Sequence, residues 1–422
     1  MIADATIAHA TIAVDTLIRQ GTIVTVDKSE RRALPSGRRR LERSCAHRSS
    51  RRVVLGHSAQ RGAVSGVSPF PPRLGDSELV VMIAFPLTGM GSAEAVAAEV
   101  RTIEAIDPRV RVVQERYLEP HSLRSARGPK DDDALRALAP VLTETQMAAF
   151  GQAEVILALD LPFDTPAHAP KLRWVQAIGA GTGQLQGAIA GSDVLLTNNA
   201  GSNSIGIAEF IFGRLLQHRK GFRHLDQAQK RHRWDGFAGR EVEGSTLGLI
   251  GFGPINQAVA VRARAFGMKV LACRRTAQAS PDVDAMFATA QLREMLSQSD
   301  FVIAAAPETP ETIGLVDEAA FAAMRPGAFF GNVGRGSLVD ETALIRALLS
   351  GHLGAAALDV VSQEPLPADH PLWDTPNLYL SPHCSTSAGA YLPKLQALFR
   401  ENLGRYIAGE PLRGLVDLER GY

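Results

Sequence analysis

Three polar side chains suited to anion binding and proton transfer follow three apolar runs in the C-terminal part of the sequence. Arg335 stands in a glycine-flanked turn after one run, Glu364 follows the next, and His383 follows the last. Arginine can hold a carboxylate or carbonyl with two aligned donors. Taken alone, each residue is better explained as an ordinary surface turn or loop. If the runs are parallel strands, their carboxyl ends meet at one edge, and the three residues form a candidate hydride-transfer site.

A glycine turn suited to a dinucleotide lies upstream, within residues 244–275. The apolar run 247–250 leads into Gly251, which permits a tight turn, and Gly253, which lets the backbone approach a diphosphate at a helix N-terminus. A proline then suits the first helical turn. The candidate cofactor-binding residues of this turn are Gly251, Gly253, Pro254 and Ile255. Asn256 replaces the third glycine of G-x-G-x-x-G, which predicts a less close contact between helix and strand.

Two arginines end the next apolar run, and their charge bears on the choice of cofactor. Arg274 and Arg275 stand about twenty residues after the glycines, where an NAD-binding unit carries an acid for the ribose 2′-hydroxyl. Two guanidinium groups suit a 2′-phosphate instead, so the sequence predicts NADP, with NADPH preferred over NADH. The alternative is a solvated basic turn without a ligand.

The elements around these residues predict an α/β protein with two parallel sheets. Over residues 198–387, apolar runs alternate with helical patterns and give five or six parallel strands, typical of a doubly wound Rossmann cofactor domain. A similar alternation over 78–197 predicts a smaller, flavodoxin-like α/β substrate domain. Residues 388–422 are expected to complete that smaller domain by packing back on it.

Residues 1–77 differ from the rest of the chain. Between Arg31 and Arg61 there are ten arginines and one acid, Glu42, without apolar periodicity, so a packed core is not expected. We expect this segment to be a disordered extension. An RNA-binding arm and a transit sequence are the alternatives.

Composition limits the class of protein. A formal net charge of +1 gives no general attraction to nucleic acid or membranes, and the 45% hydrophobic and 21% charged fractions are those of a soluble globular protein. Cys45, Cys273 and Cys384 lack metal-ligand spacing and suit a reducing compartment. No signal peptide or membrane span is evident. The sequence therefore predicts a cytoplasmic protein with no metal site and no nucleic-acid or membrane partner.

Several short motifs in the C-terminal half occur in the order and spacing of one enzyme family. They are Pro307–Thr312, Met324–Gly327, Asn332–Gly336, Ala357–Val360, Gln363–Pro367, His370–Trp373 and Ser381–His383. With them the chain resembles the D-isomer-specific 2-hydroxyacid dehydrogenases, well over about 172–422 and loosely over 79–171. The arginines at 274 and 275 and the closing Arg420-Gly-Tyr422 are most similar to the glyoxylate and hydroxypyruvate reductases that use NADPH.

The resemblance implies a reaction and a role for each of the three polar residues. A hydride passes from NADPH to a small 2-oxo acid, which becomes a D-2-hydroxy acid. His383 is then the general acid and base, Glu364 supports its protonated form, and Arg335 binds the substrate.

The resemblance also implies further contacts and an assembly. Ala180 and Gly181 match a loop that binds the substrate carboxylate, although Gly183 stands where many members have Asp. The positions that line the cofactor beyond the glycine turn and the arginines are Pro307, Thr312, Val333, Gly334 and Asp359. A homodimer is expected, with the helix near Glu209 at or close to the interface.

A second function uses the same scaffold without turnover. An NAD(P)-sensing binding protein needs the dinucleotide site but no acid catalyst, because a fold does not fix a function. The presence of an arginine, a glutamate and a histidine together favours the enzyme.

Overall fold

The computed structural model describes residues 76–85, 92–128 and 133–418, and these contain two parallel sheets. The first sheet is formed by β1 (Leu79–Ile83), β2 (Val110–Gln114), β3 (Val155–Ala158), β4 (Trp174–Ala177) and β5 (Leu195–Thr197). Their order is β2-β1-β3-β4-β5, the flavodoxin-like arrangement. Strands β1, β3 and β4 are buried along their whole length, because helices cover both faces of the sheet.

The second sheet has seven strands in the described part of the chain. They are β6 (Thr246–Ile250), β7 (Lys269–Arg274), β8 (Ala285–Ala288), β9 (Phe301–Ala304), β10 (Ala328–Asn332), β11 (Leu353–Leu358) and β12 (Leu378–Leu380). The order β12-β11-β10-β9-β6-β7-β8 is that of a doubly wound Rossmann sheet and confirms the predicted fold class. The predicted count of five or six strands was wrong, because β8 is a half-buried edge strand of four residues, too short to identify by periodicity.

Helices connect and cover these strands. In chain order they are α1 (Ala93–Glu104), α2 (His121–Ala126), α3 (Asp133–Arg136), α4 (Glu144–Gln152), α5 (Thr165–His168), α6 (Gly183–Ala188), α7 (Ser204–Arg219), α8 (Phe222–Lys230), α9 (Pro254–Ala265), α10 (Leu292–Leu296), α11 (Glu318–Ala323), α12 (Glu341–Leu349) and α13 (Ala388–Ala408). Side-chain caps fix several starts. Asp340 accepts the backbone N–H of Ala343 at 2.9 Å and so begins α12 directly after the turn that carries Arg335.

The last helix returns to the first sheet. Trp174 of β4 stacks on Phe399 and Tyr406 of α13, with ring centroids 5.6 and 5.8 Å apart. Arg400 on the same helix donates to both carboxylate oxygens of Glu99 on α1 at 2.6 and 2.7 Å. Aromatic stacking and this ion pair hold α13 on the same face of the sheet as α1.

The chain crosses between the two sheets twice, near residues 198–203 and 381–387. At the crossings, Asn199 donates its backbone N–H to Gly179 at 2.9 Å, and Lys394 donates to the carbonyl of Ser202 at 3.1 Å. A Cβ at Gly206 would lie 2.5 Å from Ser387 Oγ, so the starts of α7 and α13 approach closely. These contacts hold the two crossings side by side.

Some sequence-based expectations fall outside the described residues. They concern the segment before residue 76 and the closing Arg420-Gly-Tyr422. Among the described helices, none combines the length and the apolar character needed to cross a lipid bilayer.

Candidate active site

His383 and Glu364 form a hydrogen-bonded pair beyond the carboxyl ends of β12 and β11. Nδ1 of His383 lies 2.9 Å from Oε2 of Glu364, and half of the imidazole side chain is exposed. The backbone of His383 is left-handed, with φ at 51°, and its N–H donates to the carbonyl of Asp359 at 2.8 Å. A non-glycine residue holds this conformation only where its surroundings enforce it.

The carboxylate of Asp359 holds the loop around His383 and so maintains this backbone conformation. It is only 3% exposed and accepts hydrogen bonds from Ser381 Oγ at 2.8 Å, Cys384 N at 3.0 Å and Ser385 N at 3.2 Å. The family resemblance implies that Asp359 lines the cofactor. In the structure its side chain faces the 381–385 loop and fixes the residues on both sides of His383.

The pair changes the acidity of both partners. The hydrogen bond that His383 donates to Glu364 raises the pKa of His383 above its ordinary 6.5, against the opposing effects of burial and of the Arg335 charge. Burial alone would raise the pKa of Glu364, but the hydrogen bond and charge of His383 outweigh it and leave that pKa lowered. The charged form of each side chain is therefore favoured by the other.

Arg335 lies in a turn whose backbone is held by hydrogen bonds from Asn332 and by close packing at Gly336. Asn332 Nδ2 donates to the carbonyl of Arg335 at 2.8 Å, and Asn332 Oδ1 accepts the N–H of Gly334 at 3.0 Å. A Cβ at Gly336 would lie 2.0 Å from the carbonyl carbon of Val361, so only glycine fits there. The turn thereby projects one guanidinium group from a rigid backbone.

The guanidinium of Arg335 meets a loop of the first sheet. A Cβ at Gly181 would lie 2.3 Å from Nη2 of Arg335, which places the arginine directly against the backbone of the β4–α6 loop. Ala180 in the same loop is exposed. Residues predicted from the two halves of the chain, Arg335 and Gly181, are thus in contact, and the pKa of His383 responds to the charge of Arg335.

The β4–α6 loop is anchored without an aspartate at position 183. Asn198 Nδ2 donates to the carbonyl of Ala180 at 3.3 Å, and the backbone N–H of Asn199 donates to Gly179 at 2.9 Å. Gln186 Nε2 donates to Thr182 Oγ1 at 2.9 Å. Side chains from the crossing segment and from α6 therefore hold the loop, while Gly183 begins α6.

The glycine turn between β6 and α9 has the shape that a diphosphate requires. Gly251 has φ at +79°, and a Cβ on it would lie 2.9 Å from Cα of Ala306, so the turn is tight against the strand end of β9. Gly253 precedes the helix, and nothing in the described residues lies within 4 Å of a Cβ built on it. Pro254 is the first residue of α9 and Ile255 is half-buried. An open backbone at the N-terminus of a twelve-residue helix fits a bound diphosphate.

Asn256, where the sequence predicts a less close contact between helix and strand, forms side-chain hydrogen bonds between α9 and the end of β6. The side chain is fully buried, and Nδ2 donates to the carbonyls of Gly251 at 2.6 Å and Ile250 at 3.0 Å. An amide therefore bridges helix and strand where the fingerprint has a glycine.

Arg274 and Arg275 are exposed at the carboxyl end of β7, on the edge of the sheet that carries the glycine turn. Glu311 has a lowered pKa, chiefly because of a hydrogen bond with Thr309, and the charge of Arg275 contributes. The two arginines thus lie at the open end of the sheet with one acidic side chain near them.

The remaining predicted cofactor residues follow β9 and β10. Thr312 Oγ1 donates to the carbonyl of Pro307 at 2.7 Å and closes the turn after β9. Val333 and Gly334 are buried, and a Cβ at Gly334 would lie 2.8 Å from the carbonyl oxygen of Ala306. These residues frame the switch point between β6 and β9, where ligands bind in doubly wound sheets.

Sequence reasoning missed the residues that hold the candidate side chains in place. They are Asn198, Asn199, Asn332 and Ser385. Asparagines beside glycine turns were the available signal, since such side chains often bond to nearby backbone. The described residues contain no group of three histidine, cysteine or acidic side chains placed to hold a metal ion.

Comparison with known proteins relates this site to one family. The family model for "D-isomer specific 2-hydroxyacid dehydrogenase, NAD binding domain" matches residues 212–385. D-3-phosphoglycerate dehydrogenase of Mycobacterium leprae is 32% identical over 281 residues, which are 65% of this chain and 53% of that protein. The chain therefore spans about half the length of that relative. Glyoxylate reductase of Korarchaeum cryptofilum is 31% identical over 258 residues, 60% of this chain and 78% of the reductase.

A solved structure extends the likeness to both sheets. The NADPH-dependent glyoxylate/hydroxypyruvate reductase of Sinorhizobium meliloti, in complex with NADP and sulfate, superposes with a TM-score of 0.63 and 26% identity. The match covers 82% of this chain and all of that one. The family model, the identity to a glyoxylate reductase over most of its length and the shared fold show that the chain belongs to the D-isomer specific 2-hydroxyacid dehydrogenase family.

Proposed function

We propose that the protein is an NADPH-dependent reductase that converts a small 2-oxo acid, of the glyoxylate or hydroxypyruvate type, into a D-2-hydroxy acid. The proposal rests on the hydrogen bond between His383 and Glu364, whose Nδ1 and Oε2 atoms are 2.9 Å apart. At the same edge of the second sheet, Arg335 contacts Gly181. A proton donor and an anion-binding guanidinium thus share one site. A binding protein without turnover has no need of this proton donor.

Substrate binding is assigned to Arg335 and the loop of Ala180 and Gly181. The guanidinium supplies two aligned donors for a carboxylate and the adjacent carbonyl oxygen. The backbone amides of the loop add donors on the side of the first sheet. Both groups are held by their surroundings before substrate arrives, so little free energy is spent on ordering them.

Proton transfer is assigned to His383. NADPH, when bound, supplies the hydride for the carbonyl carbon. Because Nδ1 of His383 faces Glu364, Nε2 is the nitrogen left to give its proton to the carbonyl oxygen. Glu364 stabilises the imidazolium before transfer, and in the reverse direction the neutral imidazole removes the hydroxyl proton.

The preference for NADPH is assigned to Arg274 and Arg275. Their exposed guanidinium groups at the end of β7 can pair with a ribose 2′-phosphate. The Sinorhizobium reductase, which is NADPH-dependent and binds NADP, supports this assignment.

We also infer a homodimer formed through the helices that follow the first crossing. Large apolar side chains in this region are exposed: Phe222, Leu225, Trp234, Phe237, Val261 and Phe266. Glu209 of α7 pairs with Arg262 of α9 at 2.6 Å, so these two helices form one continuous surface. Such a concentration of exposed aromatic side chains is typical of an interface, and a second copy of the chain is the partner we propose.

The function is tested by the rate of NADPH oxidation, followed by its absorbance, with a panel of 2-oxo acids. Glyoxylate or hydroxypyruvate is expected to be reduced, and NADPH to be used in preference to NADH. In Arg274→Asp the preference should shift toward NADH, because a carboxylate repels the 2′-phosphate and accepts from a 2′-hydroxyl. If no small 2-oxo acid oxidises either cofactor, the enzyme assignment is wrong. If the variant keeps the original preference, Arg274 does not read the 2′-phosphate.

The His383–Glu364 pair predicts how reduction depends on pH. Reduction needs the imidazolium, so kcat/KM should fall as pH rises through the pKa of His383, which lies above 6.5 in the wild type. Glu364→Gln removes the main influence that raises this pKa, while burial and the Arg335 charge still lower it. The fall should therefore move to lower pH in the variant.

His383→Ala is the matched control for that profile. It should reduce kcat by about 10²- to 10⁴-fold and remove the pH dependence, while the dissociation constant for NADPH stays close to that of the wild type. A pH profile that is the same in Glu364→Gln and in the wild type would contradict the role assigned to the pair.

A further inference from the structure

Asn256 occupies the third glycine position of the dinucleotide fingerprint and is fully buried near the start of α9. Its Nδ2 lies 2.6 Å from the carbonyl oxygen of Gly251, 3.0 Å from that of Ile250 and 3.4 Å from that of Ile303. Ile250 ends β6, Gly251 begins the turn, and Ile303 lies in the neighbouring strand β9. One side-chain amide therefore joins the helix to the turn and to the two strands at the switch point.

Within the described residues, only Nδ2 of the Asn256 amide makes hydrogen bonds. Oδ1 of Asn256 is buried and has no hydrogen-bond partner within the described part of the chain. An unpaired buried acceptor is unfavourable, so the residue is not explained as simple filling of space. The contacts of Nδ2 are what distinguish asparagine from an apolar side chain of similar size at this position.

The turn is confined on one side and open on the other. A Cβ at Gly251 would lie 2.9 Å from Cα of Ala306, whereas no described atom lies within 4 Å of a Cβ at Gly253. Asn256 holds the carbonyl of Gly251 toward the sheet. The N–H groups of the first turn of α9 have no acceptor within the helix, and the open side is where an anion can reach them.

We propose that Asn256 is a positioning residue for the cofactor diphosphate. By holding the carbonyls of Ile250 and Gly251 inward, it fixes the glycine turn in the conformation that presents backbone N–H groups to the diphosphate. A third glycine allows close packing of helix and strand but supplies no side-chain donor, so in this chain the carbonyls of Ile250 and Gly251 depend on the Asn256 amide. The inference rests on the cofactor site of the proposed function, but not on the choice of NADPH or on the identity of the 2-oxo acid.

The test compares two ligands that differ only in the diphosphate. Dissociation constants of ADP and of adenosine are measured by ligand-observed NMR on the full chain, for the wild type, Asn256→Gly and Asn256→Asp. Asn256→Gly should weaken ADP about tenfold, the effect of one lost hydrogen bond, and change adenosine less than about twofold. Asn256→Asp should weaken ADP further, because a carboxylate would face the carbonyl oxygens.

Ala265→Gly is the matched control. Ala265 is an exposed residue at the far end of α9, so this change adds backbone freedom to the helix and removes no contact with the glycine turn. It should leave both dissociation constants within about twofold of the wild type. Thermal unfolding midpoints of all variants show whether each protein is folded, and Asn256→Gly keeps the test valid if Asn256→Asp does not fold.

Three outcomes would overturn the proposal. ADP binding that is unchanged or tighter in Asn256→Gly would show that the amide is not needed. Equal weakening of ADP and adenosine would indicate a general structural role. A wild type that binds ADP no better than adenosine would remove the diphosphate site. Loss of ADP affinity in a protein that reduces no 2-oxo acid would sustain the proposal while refuting the proposed function.

Discussion

The buried carboxylate of Asp359 holds the loop on which the candidate chemistry depends. A carboxylate removed from water is tolerated only when donors replace its hydration, and residues 381, 384 and 385 supply them. These hydrogen bonds enclose His383 on both sides and maintain its left-handed backbone. The imidazole therefore lies within hydrogen-bonding distance of Glu364, a half-buried residue that raises the pKa of His383. Two acidic residues thus have separate tasks, one structural and one electrostatic.

The second half of the site depends on close backbone approach. Gly181 and Gly336 leave no room for a Cβ, so Arg335 can lie against the first sheet while its own turn lies against the segment after β11. The dinucleotide turn follows the same principle, because the segment directly after β9 lies against both Gly251 and Gly334. Substitutions at these glycines therefore act on the relative placement of the candidate groups rather than on their chemistry.

Much of the fold could be predicted from the sequence because buried parallel strands are short apolar runs separated by helical patterns. The order of the polar side chains was also readable, since each of Arg335, Glu364 and His383 directly follows such a run. Strand β8 was missed because its four residues, although apolar, are too few to identify a strand by periodicity.

The sequence alone could not show which distant groups pair. Asp359 stays a predicted cofactor-lining residue, but the sequence did not indicate that its carboxylate bonds to a loop more than twenty residues away. The role of Asn256 was likewise invisible, because its acceptors are backbone carbonyls of β6, the turn and β9. Hydrogen bonds between segments far apart in the sequence depend on how the backbone folds, so a single sequence does not show which groups form them.

The proposed proton transfer depends on Glu364 raising the pKa of His383 in the folded site. The most direct measurement is an NMR pH titration of protein labelled with ¹⁵N in its histidine rings, with the signal of His383 identified by its loss in His383→Gln. We expect a ring pKa above the ordinary 6.5 in the wild type and a lower one when Glu364 is replaced by glutamine. A wild-type pKa at or below 6.5, or the same pKa in both proteins, would show that Glu364 does not favour the imidazolium.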